Sequence, residues 1–327
     1  MTSASPDLHT AAGVPVKLVL RQWSGLVFVL LVATSFAIGS TLARLAYEAG
    51  SNALSVLTLR TIVASAALYV LLRLRGVGCT LPPRQRYASL AAGVLLAAYA
   101  YGLLGAMEYI PVALAVTLFY TYPILTAVSS WLGGKERVSL ISSVALAAAF
   151  FGIGLALDVS LIDLDFGGLD PIGVALALAG AVVFAGLLML IERIRGSGDS
   201  RPITLHMLVT AFVVYLLVGA ISGTFALPAT TSGWIGYVGS SFFYTFAIVS
   251  LFVAVSKIGP LKTALTMNFE PMASAICGFL ILGQSLGPTQ ILGIAIVIAA
   301  IGAVHRGGAD GPRRVPEVRA IGVGPDY

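Results

Sequence analysis

Charge is scarce in this chain. Asp, Glu, Lys and Arg make up only 10% of its 327 residues, against 58% hydrophobic residues and a mean hydropathy of +0.97. A soluble globular chain carries about 25% charged residues. Too few polar side chains remain to cover a water-facing surface, which excludes soluble, disordered and fibrous readings. It excludes a nucleic-acid-binding reading as well, because in such a chain the position of the basic residues matters more than the net charge of +5. Cysteine is nearly missing. Cys79 and Cys277 form no metal or redox spacing and no disulfide framework. The three histidines, His9, His206 and His305, are too scattered for a metal site. Nucleotide and hydrolase signatures are missing too. Gly134-Lys135 has Ser129 where a phosphate-binding loop needs its first Gly, and Glu136 where it needs Ser or Thr. Neither His-Glu-x-x-His nor Gly-x-Ser-x-Gly occurs, so no catalytic residues, cofactor or metal are expected.

Long apolar runs are abundant. A membrane-crossing helix needs about 20 mainly apolar residues. Ten such runs are present, at roughly 25–47, 55–74, 87–107, 111–132, 138–157, 171–191, 203–223, 233–256, 261–282 and 287–305. They are continuous and longer than the alternating segments of about 10 residues that a membrane β-barrel would show. The expected fold class is an all-α membrane protein of ten transmembrane helices. The run after the polar start is too long for a signal-peptide core and reads as an uncleaved first span.

Basic residues orient the spans, because cytoplasmic loops carry the excess of Lys and Arg. With the N-terminus inside, seventeen of the 19 Lys and Arg fall on inside segments and none on outside loops. Arg44 and Arg60 fall within spans, and one outside loop carries Asp158, Asp163, Asp165 and Asp170. Both termini are therefore expected in the cytoplasm of a multi-pass protein of the inner, or plasma, membrane.

The two halves resemble each other. Tyr109-Ile-Pro-Val-Ala-Leu-Ala-Val-Thr-Leu-Phe-Tyr-Thr-Tyr-Pro123 lies over Lys257-Ile-Gly-Pro-Leu-Lys-Thr-Ala-Leu-Thr-Met-Asn-Phe-Glu-Pro271. The same offset pairs Phe36 with Phe184, Glu136 with Gln284 and Gly154 with Gly302, and a nearby one pairs Thr58-Leu59-Arg60 with Thr204-Leu205-His206. Each half holds five spans, an odd number, so the second must enter the membrane upside down. Inverted repeats around a midplane site are a recurring plan of secondary transporters. The expected organisation is a cytoplasmic tail 1–24, a first repeat 25–157, an outside loop 158–170, a second repeat 171–305 and a cytoplasmic tail 306–327.

Tyr122-Pro123 followed by Gly134-Lys135-Glu136-Arg137-Val138, and Glu270-Pro271 followed by Leu282-Gly283-Gln284, resemble the ten-helix EamA-type members of the drug/metabolite transporter superfamily. The resemblance covers about residues 25 to 305. Lys135 separates Gly134 from Glu136, and Gln284 stands where the family pattern has Glu, so a loop carboxylate role does not carry over to the second half. The resemblance implies a secondary transporter, and export of an amino acid or related metabolite.

Few polar groups are available inside the spans. Glu270 reads as a proton-coupling or ammonium-binding group, or as a hydrogen-bond partner for backbone freed by Pro271. Pro123 and Pro271 occupy matching places in spans four and nine and are expected to kink them, whether as rocking points or as static bends. Arg60 reads as an anchor for a substrate carboxylate, or as a cation that snorkels outward or pairs with Glu48 or Glu108. The second alternative leads for Arg44. Tyr99, Tyr101, Tyr120 and Tyr122 offer apolar rings with polar tips, with Asn268 in the place that matches Tyr120. On one continuous helix Tyr120 and Tyr122 cannot both face the same way. Trp23, Trp131 and Trp234 read as interfacial anchors. Small residues on spans five and ten (Ala148 with Gly152; Ala295, Ala299 and Ala303) read as scaffold, as a homodimer contact or as plain internal packing.

The expected function is alternating-access transport of a small metabolite, with the lipid bilayer and a small-molecule substrate as partners and the proton as an open coupling ion. A drug/proton antiporter or a metabolite importer is the alternative within transport. A membrane assembly subunit or sensor is the alternative outside it.

Overall fold

The computed structural model describes residues 16–106, 109–110, 112–132, 140–157, 170–195, 198–282 and 287–307. Outside them lie residues 1–15 and 308–327, Glu108, the Gly134–Arg137 motif, Gly283-Gln284 and the outside-loop residues Asp158, Asp163 and Asp165. Among the described residues the ordered elements are all helices. The first half holds α1 (Val16–Glu48), α2 (Ala53–Leu74), α3 (Pro83–Ala106), α4 (Val112–Phe119), α5 (Tyr122–Leu132) and α6 (Leu140–Ala156). The second holds α7 (Pro171–Arg195), α8 (Ser200–Ser222), α9 (Thr231–Ile258), α10 (Pro260–Met267), α11 (Phe269–Leu282) and α12 (Pro288–Gly307). Eight stretches are long and apolar enough to cross a membrane, with α4–α5 forming one and α10–α11 another, and Ser143–Ala156 and Pro288–Ala303 add two shorter apolar helices.

Many hydroxyls inside these helices are satisfied locally, as hydrocarbon favours. Thr34, Thr41, Thr58, Thr61 and Ser65 each return a hydroxyl to the carbonyl four residues earlier, at 2.6–2.9 Å. Side-chain caps close the exposed starts. Asn52 accepts from the Ser55 amide at 2.9 Å, Asp199 from Arg201 at 2.9 Å and Thr230 from Gly233 at 3.1 Å.

Helix pairing displays the inverted repeat. α1 packs along α9, and its counterpart α7 packs along α3. α2 on α9 is matched by α8 on α3, and α1 on α11 by α7 on α5. α2 meets α8, and α6 meets α12, each element on its own counterpart. Between apolar helices in lipid the association rests on close packing. A Cβ on Gly293 would come within 2.5 Å of the Gly152 carbonyl oxygen, so α6 and α12 cross backbone to backbone at these glycines. The small stripe expected on span ten divides here. Gly293, Val297 and Ala300 face inward, whereas Ala295, Ala299 and Ala303 are exposed.

Chain connections sort onto two ends of the bundle. At one end the Ala229 amide donates to the Ala49 carbonyl at 2.8 Å, the Ser51 hydroxyl to Ala226 at 2.9 Å, and the Asn52 side chain to Thr224. At the other, Gln85 at the start of α3 donates to the Ile194 carbonyl near the end of α7 at 3.2 Å.

Spans four and nine are interrupted where a kink is expected, but the interruption precedes the proline. α4 ends at Phe119 and α5 begins at Tyr122. α10 ends at Met267 and α11 begins at Phe269. Pro123 and Pro271 therefore sit in the first turn of α5 and α11, where a missing N–H leaves no helical bond unmade. Tyr120 and Asn268, paired by the offset between the halves, both fall at the breaks.

Candidate functional site

Several helices bring side chains to one depth. At about 1.5 Å per residue, Glu270 lies about 15 Å along the span that begins at Pro260, Phe36 about 16 Å beyond Gly25, and Phe184 and Tyr244 about 20 Å beyond Pro171 and Thr231. A hydrocarbon core is about 30 Å thick, so these groups meet near its middle, around the breaks in spans four and nine.

Aromatic rings wall this region. Tyr122 lies edge-on to Phe184 at 4.7 Å and against Phe119 at 5.4 Å. Tyr99 reaches Phe184 at 4.5 Å and stacks on Phe119 at 5.9 Å, and Tyr120 meets Tyr122 at 5.6 Å. On the α1–α9 side Phe36 lies edge-on to Tyr244 at 6.0 Å. Phe36 on α1 and Phe184 on α7, paired in the sequence, each meet a tyrosine on the helix their own helix packs along, α9 and α3.

Two opposite charges enter this aromatic surround. The Glu270 carboxylate has the Tyr120 hydroxyl within hydrogen-bonding reach, and its charge acts on Tyr99, Tyr120 and Tyr122. The Arg60 guanidinium donates to the Gly39 carbonyl at 2.9 Å and lies 5.4 Å over the Tyr244 ring, a cation–π arrangement. Its charge acts on Tyr47, Tyr215 and Tyr244. The site thus has an acidic pole and a basic pole. The poles feel one another, yet neither takes part in the ion pairs Arg44–Glu48 or Arg201–Asp199, and none joins Arg60 to Glu270. Arg60 Nε and Asn268 Oδ1 are buried with no hydrogen-bond partner. An unmatched buried polar group costs about 1–3 kcal/mol, so both have unused capacity for a bound donor or acceptor. Glu270 and Arg60 are half-buried at a depth where full burial would be the rule.

Of the residues singled out in the sequence, Glu270, Arg60, Tyr99, Tyr120 and Tyr122 come together here. Asn268, 2% exposed, lies at the break beside Glu270. Tyr101 does not join them. It is 60% exposed on the outer face of α3, because two residues along a helix turn a side chain through about 200°. The same rule no longer separates Tyr120 from Tyr122, since the turn at Tyr120–Thr121 interrupts the helix between them. Arg44 lies 4.0 Å from Glu48, both exposed. Phe119, Phe184, Tyr215 and Tyr244 were not singled out. Phe184 had a signal, its repeat partner Phe36, whereas Tyr215 and Tyr244 had none short of the packed bundle. Among the described residues no three His, Cys, Asp or Glu lie together as a metal site requires.

The sequence profile of the EamA-like transporter family matches residues 23–157 and again residues 171–305. The chain belongs to the EamA-like transporter family. It is therefore a multi-pass membrane transporter of the drug/metabolite type, built from two EamA repeats. The threonine/homoserine exporter RhtA of Salmonella typhimurium is 24% identical over 306 residues, 93% of this chain and 97% of that protein. RhtA of Escherichia coli K12 is 25% identical over 66% of this chain and 70% of its own length. An uncharacterized transporter of Synechocystis, sll1319, is 24% identical over 67% of this chain, a match that spans 66% of that protein, just under two thirds. A protein of known crystal structure shares the fold at a TM-score of 0.67 and 18% identity, over 84% of this chain and 96% of that one. This EamA-like chain thus shares an architecture and has distant exporter relatives.

Proposed function

We infer that this EamA-like transporter exports a small zwitterionic metabolite of the amino-acid class, by alternating access across the inner membrane, with its termini in the cytoplasm. The observation that carries the reading is the two-pole site. One carboxylate and one guanidinium face a common aromatic surround at mid-depth without closing on each other. An α-ammonium suits Glu270 and the faces of Tyr99 and Tyr120. An α-carboxylate suits the fork of Arg60. The RhtA relatives agree with this substrate class and with export. A second reading, antiport of an amphipathic organic cation against protons, draws on the five rings gathered near Glu270 and leaves Arg60 without a role.

Counterflow into proteoliposomes loaded with threonine or homoserine discriminates the two. The expected result is exchange with the zwitterions, and little exchange with the matching amine, which lacks the carboxylate, or with the N-acetylated acid, which lacks the ammonium. Equal exchange with the amine would overturn the zwitterion reading in favour of the cation. Flux that responds to an imposed pH gradient would assign the proton as coupling ion.

A further inference from the structure

Away from the transport site, one end of the bundle gathers arginines. Arg84 and Arg86 open α3, and Arg193 and Arg195 close α7. The Gln85–Ile194 hydrogen bond, at 3.2 Å, holds these two helix ends together. The cations of α2, α3, α7 and α8 at this end are all arginines, with no lysine among them, whereas Lys257 and Lys262 lie on α9 and α10. Two carboxylates are nearby. Asp199 is held by Arg201 at 2.6 Å, and Glu192 has a contact of its own. Among the described residues the four α3–α7 arginines thus outnumber these carboxylates.

We propose that this α3–α7 arginine cluster binds the headgroup phosphate of an anionic phospholipid. Arg195 Nε is buried without a hydrogen-bond partner. Helix capping does not explain it, because Gln85 takes the Ile194 carbonyl and the Gly198 amide takes the Arg195 carbonyl at 2.9 Å. An unmatched N–H at a helix end that is tied to a second arginine-bearing helix end is a donor that a phosphate accepts. The source of the phosphate follows from the surroundings. Tyr87 is 64% exposed with Arg86 5.5 Å over its ring, and exposed Leu90 follows one turn deeper. An amphipathic ring and an apolar helix face directly below the cations mark the level at which a bilayer presents its phosphates.

The test is lipid binding by the full chain in nanodiscs of phosphatidylcholine, with and without phosphatidylglycerol, read by native mass spectrometry and thermal unfolding. Phosphatidylglycerol is expected to remain bound to the native protein. Arg84→Gln, Arg86→Gln and Arg193→Gln should each weaken it about fivefold, while Lys257→Gln leaves it unchanged. Arg195→Lys, which keeps the charge that orients the chain but loses the fork, should weaken it as the Gln variants do. Equal losses for Lys257→Gln and the arginine variants would overturn the site in favour of diffuse surface charge. Native binding by Arg195→Lys would overturn it too. Inorganic phosphate that displaces the lipid, or stabilises the phosphatidylcholine sample equally well, would assign the cluster to a soluble anion and overturn the lipid proposal.

Discussion

At the scale of single residues, Glu270 concentrates the functional question. A charged carboxylate at the bilayer centre costs about 2.5–3.5 kcal/mol on insertion scales, and Glu270 persists here beside Tyr120 and half-buried. Hydrogen bonds to charged groups are worth about 1.5–3 kcal/mol. Glu270→Gln should therefore weaken zwitterion binding about 10- to 100-fold, while the fold and its thermal stability persist because shape and volume are kept. Tyr120→Phe removes only the hydroxyl and should cost a few-fold. Equilibrium binding to the purified variants reads both effects, and Glu270→Gln with native affinity would remove the carboxylate from the site. Part of this was legible without a structure. A lone Glu and two Arg stand out in apolar runs on composition alone. Tyr101 could not be separated from Tyr99 by composition, only by helical phase. Tyr215 and Tyr244 became visible only when α8 and α9 packed beside α2, because convergence of distant helices leaves no mark in local sequence.

At the scale of elements, α6 and α12 are held by backbone contact, where α3 and α7 also use hydrogen bonds and α1 and α9 a long interface. The Gly152–Gly293 crossing admits no side chain. Gly293→Leu should destabilise the protein by about 1–3 kcal/mol, the usual cost of overpacking, and lower the melting temperature in detergent without changing which substrates exchange. Unaltered melting would show that these two helices are not fastened where the glycines meet. The spans themselves were legible because long apolar runs have no other stable home. The breaks in spans four and nine were half legible. Pro123 and Pro271 marked the places, but a proline is silent on whether the helix bends at it or restarts just before it. That difference decides the site, since a restarted α5 puts Tyr120 and Tyr122 on the same aromatic surface. At the start of α8, the Arg201 guanidinium holds the Asp199 carboxyl below the usual carboxylate range. A depressed folded value means that this cap is intact above the ordinary Asp range and is lost only as pH falls through the lower, folded value.

At the scale of the whole molecule, the two-fold relation between halves and the sorting of charge make one connected claim about orientation. Ten crossings place both termini on one side, and the interloop hydrogen bonds of Asn52, Ser51 and Ala229 gather the lysine- and arginine-free loops 49–52 and 223–230 on the opposite side. The positive-inside rule puts the arginine end in the cytoplasm in the orientation proposed above, and the proposed export needs the substrate to enter from there. Cysteine chemistry tests this assignment with little alteration of the chain, because the free thiols differ in access. Cys79 is half-buried on the connection between α2 and α3, at the arginine end, and Cys277 is buried in α11. A membrane-impermeant maleimide should label Cys79 in inside-out vesicles and leave right-side-out vesicles unlabelled. In a Cys79→Ser background, Thr224→Cys, exposed on the opposite end, should show the reverse. Labelling of Cys79 from the outside would invert the molecule. Helix pairing and the two-pole site would survive that result, since neither depends on which end faces the cytoplasm, but the direction of transport would have to be argued anew from measured flux.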